Sequence, residues 1–113
     1  MKEEYKSKII HYSSKLYCET QNTKFDVLKH NTKFDKLQKI FKQFEKEEDK
    51  SLLLELLEHE SEKVRLEVAA ECLSLNIYIK QAKKVLRKLS KLSGELGFVA
   101  EMTLEVYQEQ GYL

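Results

Sequence analysis

The sequence predicts an all-α fold, a short right-handed α-solenoid of about six helices in three antiparallel hairpins. The chain has 113 residues, no proline, only three glycines and 35% charged residues, a composition that favours long helices over strands and turns. Apolar residues recur every three or four positions along most of it, as on one face of a helix. The pair Ala69 and Leu73 is followed by an alanine and a leucine 31 residues later, a period within the range of helical repeats. The length predicts a single domain over 1–113.

The N-terminal part, residues 1–48, is predicted to form a capping hairpin. Apolar residues recur at helical spacing and predict one helix over 3–19 and a second over 24–47. A nine-residue segment that starts at Asn22 is repeated, with changes, from Asn31. The second helix is therefore expected to be continuous, kinked or interrupted near Asn31, and we interpret the repeat as a local duplication.

The middle of the chain, residues 49–76, is predicted to be the first of two helical repeats. The leucines between Leu52 and Leu57 form a short amphipathic helix, and Ser61 is placed to cap the next one. That next helix, over 61–76, carries two apolar rows and a single narrow polar row. An ordinary surface helix has only one apolar face, so we expect neighbours on both flanks.

The last part of the chain, residues 77–113, is predicted to be the second repeat. Its first helix carries apolar residues at helical spacing and is expected to end at Gly94 and Gly97. A sixth helix is predicted over 98–109. Gly111 is placed to terminate it, because glycine readily adopts the left-handed conformation that follows many helices.

The run LLELLEHESEKVRLEVAAECL resembles a HEAT-type helical hairpin, whose second helix begins with Val-Arg and continues with two alanines. A match over roughly residues 22–112 resembles the small bacterial family called domain of unknown function 2019. It is carried by the runs FDKLQKIF, VRLEVAA and GFVAEMTLEVYQEQG. The resemblance implies a HEAT-like fold and no known activity. Tyr107 is a departure, since a tryptophan is expected there in that family.

Arg65 stands out because it shares a row of its helix with Ala69 and Cys72, on the side predicted to be buried. A guanidinium group in such a place needs hydrogen-bond acceptors. In HEAT-type proteins the matching arginine usually ties neighbouring repeats together. We therefore predict a structural role for Arg65, with its guanidinium bonded to groups near the end of an adjacent helix.

Two sets of charged residues are candidate binding surfaces. The first, the acidic strip, pairs glutamates four residues apart on the fourth and sixth helices, which as inner helices would line one concave wall. It consists of Glu67, Glu71, Glu101 and Glu105. Like charges at this spacing slightly destabilise a helix, so a compensating use is plausible, and a merely solvated face is the alternative.

The second set, the basic strip, lies on the polar face of the fifth helix, with six basic residues among twelve and no acidic one. It consists of Lys80, Lys83, Lys84, Arg87, Lys88 and Lys91. The alternatives are a solvated face, a surface for an acidic protein partner, and a contact with a phosphate backbone. No aromatic residues are interleaved to stack on bases, so nucleic acid is the least favoured of the three.

Nothing in the sequence indicates a reaction site, so we predict no catalytic residues, no metal site and no cofactor. The three histidines lack partners at metal-ligand spacing, and no nucleophile elbow or glycine-rich phosphate loop is present. Cys18 and Cys72 are isolated and are predicted to be two reduced thiols. The net charge of +1 provides no global attraction to nucleic acid or membrane.

The N-terminus carries charges where a signal peptide needs an apolar core, and no apolar run approaches the roughly 20 residues that cross a bilayer. We therefore expect a cytoplasmic protein with no membrane partner, as a monomer or weak homodimer. The predicted function is a non-enzymatic protein–protein interaction module of unknown partner, immunity- or antitoxin-like by analogy of fold. The alternatives are a nucleic-acid-binding protein that uses the basic strip and an enzyme that uses the glutamates of the acidic strip.

Overall fold

The computed structural model describes residues 2–16 and 27–111, and over these residues it contains six helices and no strand. The predicted all-α class is therefore confirmed. The helices are α1 (Lys2–Ser14), α2 (Val27–Phe44), α3 (Ser51–Leu56), α4 (Glu62–Leu75), α5 (Ile79–Leu89) and α6 (Glu95–Gln110).

The chain divides into two compact units, Met1–Leu52 and Leu53–Leu113. In the first unit α1 packs against α2. Phe41 is buried in its core, and the ring of Tyr5 meets the ring of Phe44 edge-on, with 5.3 Å between the ring centroids. In the second unit α4 packs against both α5 and α6, and α5 packs against α6.

Helix α2 runs from Val27 through Asn31 to Phe44 as one helix, so the predicted alternative of an interruption near Asn31 is wrong. No proline lies in this helix. The repeated segment begins at Asn22, and its residues 22–26 lie outside the described residues. Helix α1 ends at Ser14 and is followed by a turn to Leu16. The first helix was predicted to continue to residue 19, which is wrong for residues 15 and 16, because they form this turn. Residues 17–19 lie outside the described residues, as does the predicted start of the second helix at residue 24.

Helix α4 is enclosed on most sides, as its two apolar rows predicted. Val64, Leu66, Val68 and Cys72 are fully buried. The amide of Val64 donates to the hydroxyl of Ser61 at 3.5 Å, so the predicted N-cap is confirmed. Both α5 and α6 pack against this helix, which agrees with the neighbours that its two apolar rows predicted.

The boundary between α5 and α6 differs from the prediction. Helix α5 ends at Leu89, and α6 begins at Glu95, so Gly97 lies inside α6 and does not end α5. A Cβ atom on Gly97 would lie 1.9 Å from the carbonyl oxygen of Leu92, so the preceding loop can approach α6 only because this residue has no side chain. Gly111, at φ 79°, caps α6 in the left-handed conformation, as predicted.

The connection between α4 and α5 is held by a side chain from α6. Asn76 and Tyr78 both adopt the left-handed backbone conformation, which is uncommon for residues other than glycine. The hydroxyl of Tyr107, on α6, donates to Oδ1 of Asn76 at 2.9 Å. The ammonium group of Lys83 lies 5.3 Å from the centroid of the Tyr107 ring, within the range of a cation–π interaction. Tyr107 therefore contacts groups from both helices that the connection joins.

Candidate partner-binding groove

An open groove in the second unit, here called the basic groove, lies between α5 and the segment that runs from α3 into α4. It has a volume of about 600 Å³, within the roughly 300–1,000 Å³ typical of ligand and partner pockets. Its apolar lining is Leu54, Leu57, Val85 and Leu89, and its polar lining is Glu58, Arg65, Gln81, Lys84 and Lys88.

Helix α5 forms one wall of the basic groove along two of its turns. The lining residues of this helix run from Gln81 to Leu89 at the three- and four-residue spacing of a single helix face. At about 1.5 Å per residue, this wall is roughly 12 Å long. The groove therefore follows the axis of α5, which is the shape that accepts another helix or an extended segment.

The apolar lining consists of a buried floor and accessible sides. Leu57 and Leu89 are 3% and 2% exposed and form the floor, whereas Leu54 is 38% exposed. Val85 is half-buried. Leu54 and Val85 therefore keep apolar surface in water that a partner could cover.

The charges around the groove are mainly positive. Arg65, Lys84 and Lys88 line it together with one acidic residue, Glu58, so the lining carries a net charge of +2. Neither lysine pairs with a carboxylate among the residues that the structure describes. Positive charge beside accessible apolar surface favours a ligand that is both acidic and amphipathic.

Arg65 is held in place at the corner between α3 and α4. Its Nη1 atom donates to the carbonyl oxygen of His59 at 3.2 Å, and Nδ1 of His59 accepts from the amide of Ser61 at 3.0 Å. The hydrogen bond from Arg65 joins α4 to the loop that follows α3, and a bond to a group near the end of an adjacent helix was predicted for this residue. The contribution of this bond to stability remains a prediction. Arg65 also lines the groove, which the sequence did not indicate.

The basic strip lies at the surface of the second unit. Lys80, Lys84, Arg87, Lys88 and Lys91 are exposed, whereas Lys83 is half-buried beside Tyr107. Lys91 follows the end of α5, because that helix is shorter than predicted. Only two members of the strip, Lys84 and Lys88, line the basic groove.

The acidic strip does not form one exposed surface. Glu67 and Glu71 are only 5% and 6% exposed and neither is free, whereas Glu101 and Glu105 are exposed on α6. Glu67 and Glu71 were expected to line a concave wall, with a solvated face as the alternative. Both are buried instead, whereas Lys63 is half-buried and Ser74 is exposed in the same polar row. The neighbours of α4 therefore cover the middle of its polar row together with its apolar rows.

Cys72 is a free thiol that is fully buried in α4. Burial, and after it the nearby carboxylate of Glu71, together raise the pKa of this thiol from 9.0 to about 12. The thiol is therefore protonated at neutral pH and is a poor nucleophile. Cys18 and the side chain of His30 lie outside the described part of the structure.

No helix in the described ranges is both long and apolar enough to cross a membrane. Within the same ranges, no group of three or more His, Cys, Asp or Glu side chains is placed to hold a metal ion.

Sequence reasoning missed most of the basic groove, although one signal was present. In the short helix α3, Leu54 lies on the opposite face from its buried neighbours, so an exposed leucine could have been expected there. Val85 lies between Lys84 and Leu86, so nothing in the sequence indicated that it stands apart from the charged residues of the basic strip. Leu54 and Val85 line one groove with Arg65 only because of how α4 and α5 pack, which periodicity does not indicate.

No protein-family model matches the chain, and no characterised protein or solved structure shows significant similarity to it.

Proposed function

We propose that the protein is a non-enzymatic protein–protein interaction module, acting in the cytoplasm, that binds an acidic partner through the basic groove. The observation that supports this function best is the combination, in one groove, of accessible apolar side chains and three cations. Apolar surface provides most of the free energy of association, and complementary charge provides specificity and a fast encounter. Leu54 and Val85 supply the apolar surface. The complementary charge comes from Arg65, Lys84 and Lys88.

We also propose a finer architecture, in which the six helices form three antiparallel hairpins of a short right-handed, HEAT-like α-solenoid. The 31-residue period of the sequence supports it, together with the packing of α4 against both α5 and α6 and of α1 against α2. Membership of the family called domain of unknown function 2019, and an immunity- or antitoxin-like role, belong to the same proposal. They rest on resemblance of sequence and on analogy of fold.

The acidic strip is not part of the proposed binding surface. Glu67 and Glu71 are enclosed, so a partner could reach them only if α4 were uncovered. Glu101 and Glu105 remain accessible on α6.

The proposal is tested by affinity capture from lysate with matched charge variants, before and after nuclease treatment. One variant carries Lys84→Glu and Lys88→Glu, which lie in the groove. Its control carries Arg87→Glu and Lys91→Glu, which make the same change of charge on exposed residues outside the groove. We expect a captured protein to survive nuclease, to be retained by the control and to be lost by the groove variant.

Two results would contradict the proposal. Equal retention by both variants would show that the groove is not the binding surface. Material that disappears with nuclease, and that both variants lose to a similar degree, would favour nucleic acid. The five exposed cations of the basic strip make nucleic acid the second candidate function, and it would show a strong dependence of affinity on salt.

A further inference from the structure

We propose that the partner of the basic groove is a second copy of this chain, which inserts the exposed face of its α6. This inference rests on the proposed function and narrows its partner to one molecule. Two surfaces of the second unit carry it, because each combines accessible apolar side chains with a net charge, and the two net charges are opposite in sign.

The first of these surfaces, here called the α6 ridge, is built around two apolar residues. Phe98 is 63% exposed and Met102 is 41% exposed. They lie four residues apart, so their side chains are neighbours on one face of the helix. The charged residues of α6 are all acidic and all exposed, namely Glu95, Glu101, Glu105 and Glu109.

The second surface is the basic groove, whose composition complements that of the α6 ridge. Helix α5 contains five basic residues and no acidic one, the reverse of α6. In the groove, Leu54 and Val85 offer apolar surface of the kind that Phe98 and Met102 would cover. Lys84 and Lys88 stand beside it, where glutamates flanking the ridge would meet them.

The dimensions of the two surfaces agree. Phe98 and Met102 are separated by about 6 Å along the axis of α6, and the α5 wall of the groove is roughly 12 Å long. Both apolar side chains therefore fit within the groove. An amphipathic helix that places residues four apart into an apolar groove is a common mode of recognition between proteins.

The contact has to form between molecules. The residues by which α6 packs inside its own chain include Ala100 and Leu104, which are buried. At about 100° per residue, Phe98 and Met102 lie on nearly the opposite side of the helix. The ridge therefore points away from the α5 of its own chain, and only another copy can bring a groove to it.

The geometry of association follows from the charges and from the placement of the two surfaces. Two basic grooves repel each other, as do two acidic ridges, so a contact between identical surfaces is disfavoured. The ridge also points away from the α5 of its own chain, so we expect each copy to offer its ridge to one neighbour and its groove to another. A head-to-tail contact of this kind leads to a ring or to an open chain of copies, depending on whether the rotation between them closes.

The first measurement is sedimentation equilibrium of the wild-type protein from about 10 µM to about 1 mM, the range in which small interfaces associate. At about 0.15 M salt we expect the average mass to rise with concentration above that of one chain. At about 1 M salt the Debye length falls from about 8 Å to about 3 Å, so the rise should be smaller.

The decisive measurement mixes two defective variants. The ridge variant carries Phe98→Ala and Met102→Ala, and the groove variant carries Lys84→Glu and Lys88→Glu. All four residues are exposed, so both variants should fold, and circular dichroism melting verifies this. We expect each alone to associate about tenfold or more weakly than the wild type. Their equimolar mixture should form a dimer and nothing larger, because it contains only one intact ridge and one intact groove per pair.

Control variants separate this contact from general changes of charge or apolar surface. The variant with Arg87→Glu and Lys91→Glu, and the variant Leu92→Ala, change exposed residues outside both surfaces. Both should associate more like the wild type than the groove variant does, because neither removes a side chain that lines the groove or forms the ridge.

Several results would overturn the inference. A wild-type protein with the mass of one chain at every concentration would do so, as would a mixture of ridge and groove variants that stays monomeric. If the average mass rises with concentration equally in all variants, the copies associate through another surface. The wild type could instead be monomeric and capture a lysate protein that the variant with Lys84→Glu and Lys88→Glu does not capture. In that case the second copy is wrong as the partner and the proposed function stands.

If the groove variant keeps both self-association and the captured lysate protein, both proposals fail.

Discussion

Helices α4 and α5 are neighbours of similar length with opposite environments. Helix α4 buries residues around most of its circumference, including the carboxylates of Glu67 and Glu71. Helix α5 buries a single stripe of Ala82, Leu86 and Leu89 and leaves most of its cations in water. Both helices pack against each other and against α6, so the difference lies in their apolar residues, which occupy two rows on α4 and a single stripe on α5.

The comparison teaches that a row of charges on a helix does not by itself define a surface. The glutamates of α4 and the cations of α5 are equally conspicuous in the sequence. Only the cations are accessible, and two of them meet apolar side chains in the basic groove. A charge is available to a partner when the packing of the surrounding helices leaves its face open.

The largest effect is expected from charge reversal on the enclosed helix. Glu71→Lys places an ammonium group at a position that is 6% exposed, where the original carboxylate is engaged in the structure. Stranding a charge in such a place typically costs about 3–5 kcal/mol. We expect the free energy of unfolding, measured by urea denaturation, to fall by about this amount, or the protein to be recovered unfolded.

The matched change on the open helix is Lys84→Glu, which reverses a charge at an exposed position. Its effect on the free energy of unfolding should be within about 0.5 kcal/mol, as for most surface substitutions. Similar losses in Glu71→Lys and Lys84→Glu would contradict the contrast between the two helices.

An intermediate effect is expected from Arg65→Ala, which removes the basic residue by which α4 is tied to the loop after α3. The carbonyl of His59 would lose its 3.2 Å hydrogen bond from the guanidinium. Leaving a partly buried acceptor without its donor costs about 1–3 kcal/mol. A lower midpoint of thermal unfolding, followed by circular dichroism, would measure this loss.

The control for Arg65 is Arg87→Ala on α5, whose side chain is exposed. It should unfold within a degree or two of the wild type, since exposed substitutions change stability by less than about 0.5 kcal/mol. Should Arg65→Ala melt with the wild type while weakening association, the arginine serves the groove and its structural role is wrong.

The smallest effect concerns Cys72 and is absent at neutral pH. Its pKa is about 12 in the folded protein, because burial and then Glu71 raise it from 9.0. Between pH 9 and about pH 12 the thiol loses its proton in the unfolded chain and keeps it in the folded protein. The free energy of unfolding therefore falls as pH rises above 9, with the slope of one proton.

The measurement compares urea unfolding of the wild type and Cys72→Ala at pH 7, 8, 9 and 10.5. The variant loses some packing at every pH, but it lacks the titrating thiol. We expect the stability difference between wild type and variant to be the same at pH 7 and 8 and to shrink above pH 9. A difference independent of pH across this range would show that the thiol is not held protonated by its surroundings.

Most of the local structure could be predicted from the sequence. Apolar residues at helical spacing indicated all six helices, Ser61 indicated the start of α4, and Gly111 indicated the end of α6. These features depend on a few neighbouring residues and on the backbone preferences of serine and glycine. The sequence also indicated that α4 has neighbours on both flanks, because two apolar rows need two surfaces to cover them.

Tertiary structure alone decided the role of Gly97, the burial of the glutamates of α4, and the basic groove. Glycine is a common helix terminator, yet Gly97 lies within α6 because the carbonyl of Leu92 needs the space of its missing side chain. Glu67 and Glu71 are buried because neighbouring helices cover a row that is polar by composition. Leu54, Arg65 and Lys88 belong to different segments, and a groove between them exists only once α4 and α5 are packed, since periodicity reports the faces of single helices and carries no information about which faces meet.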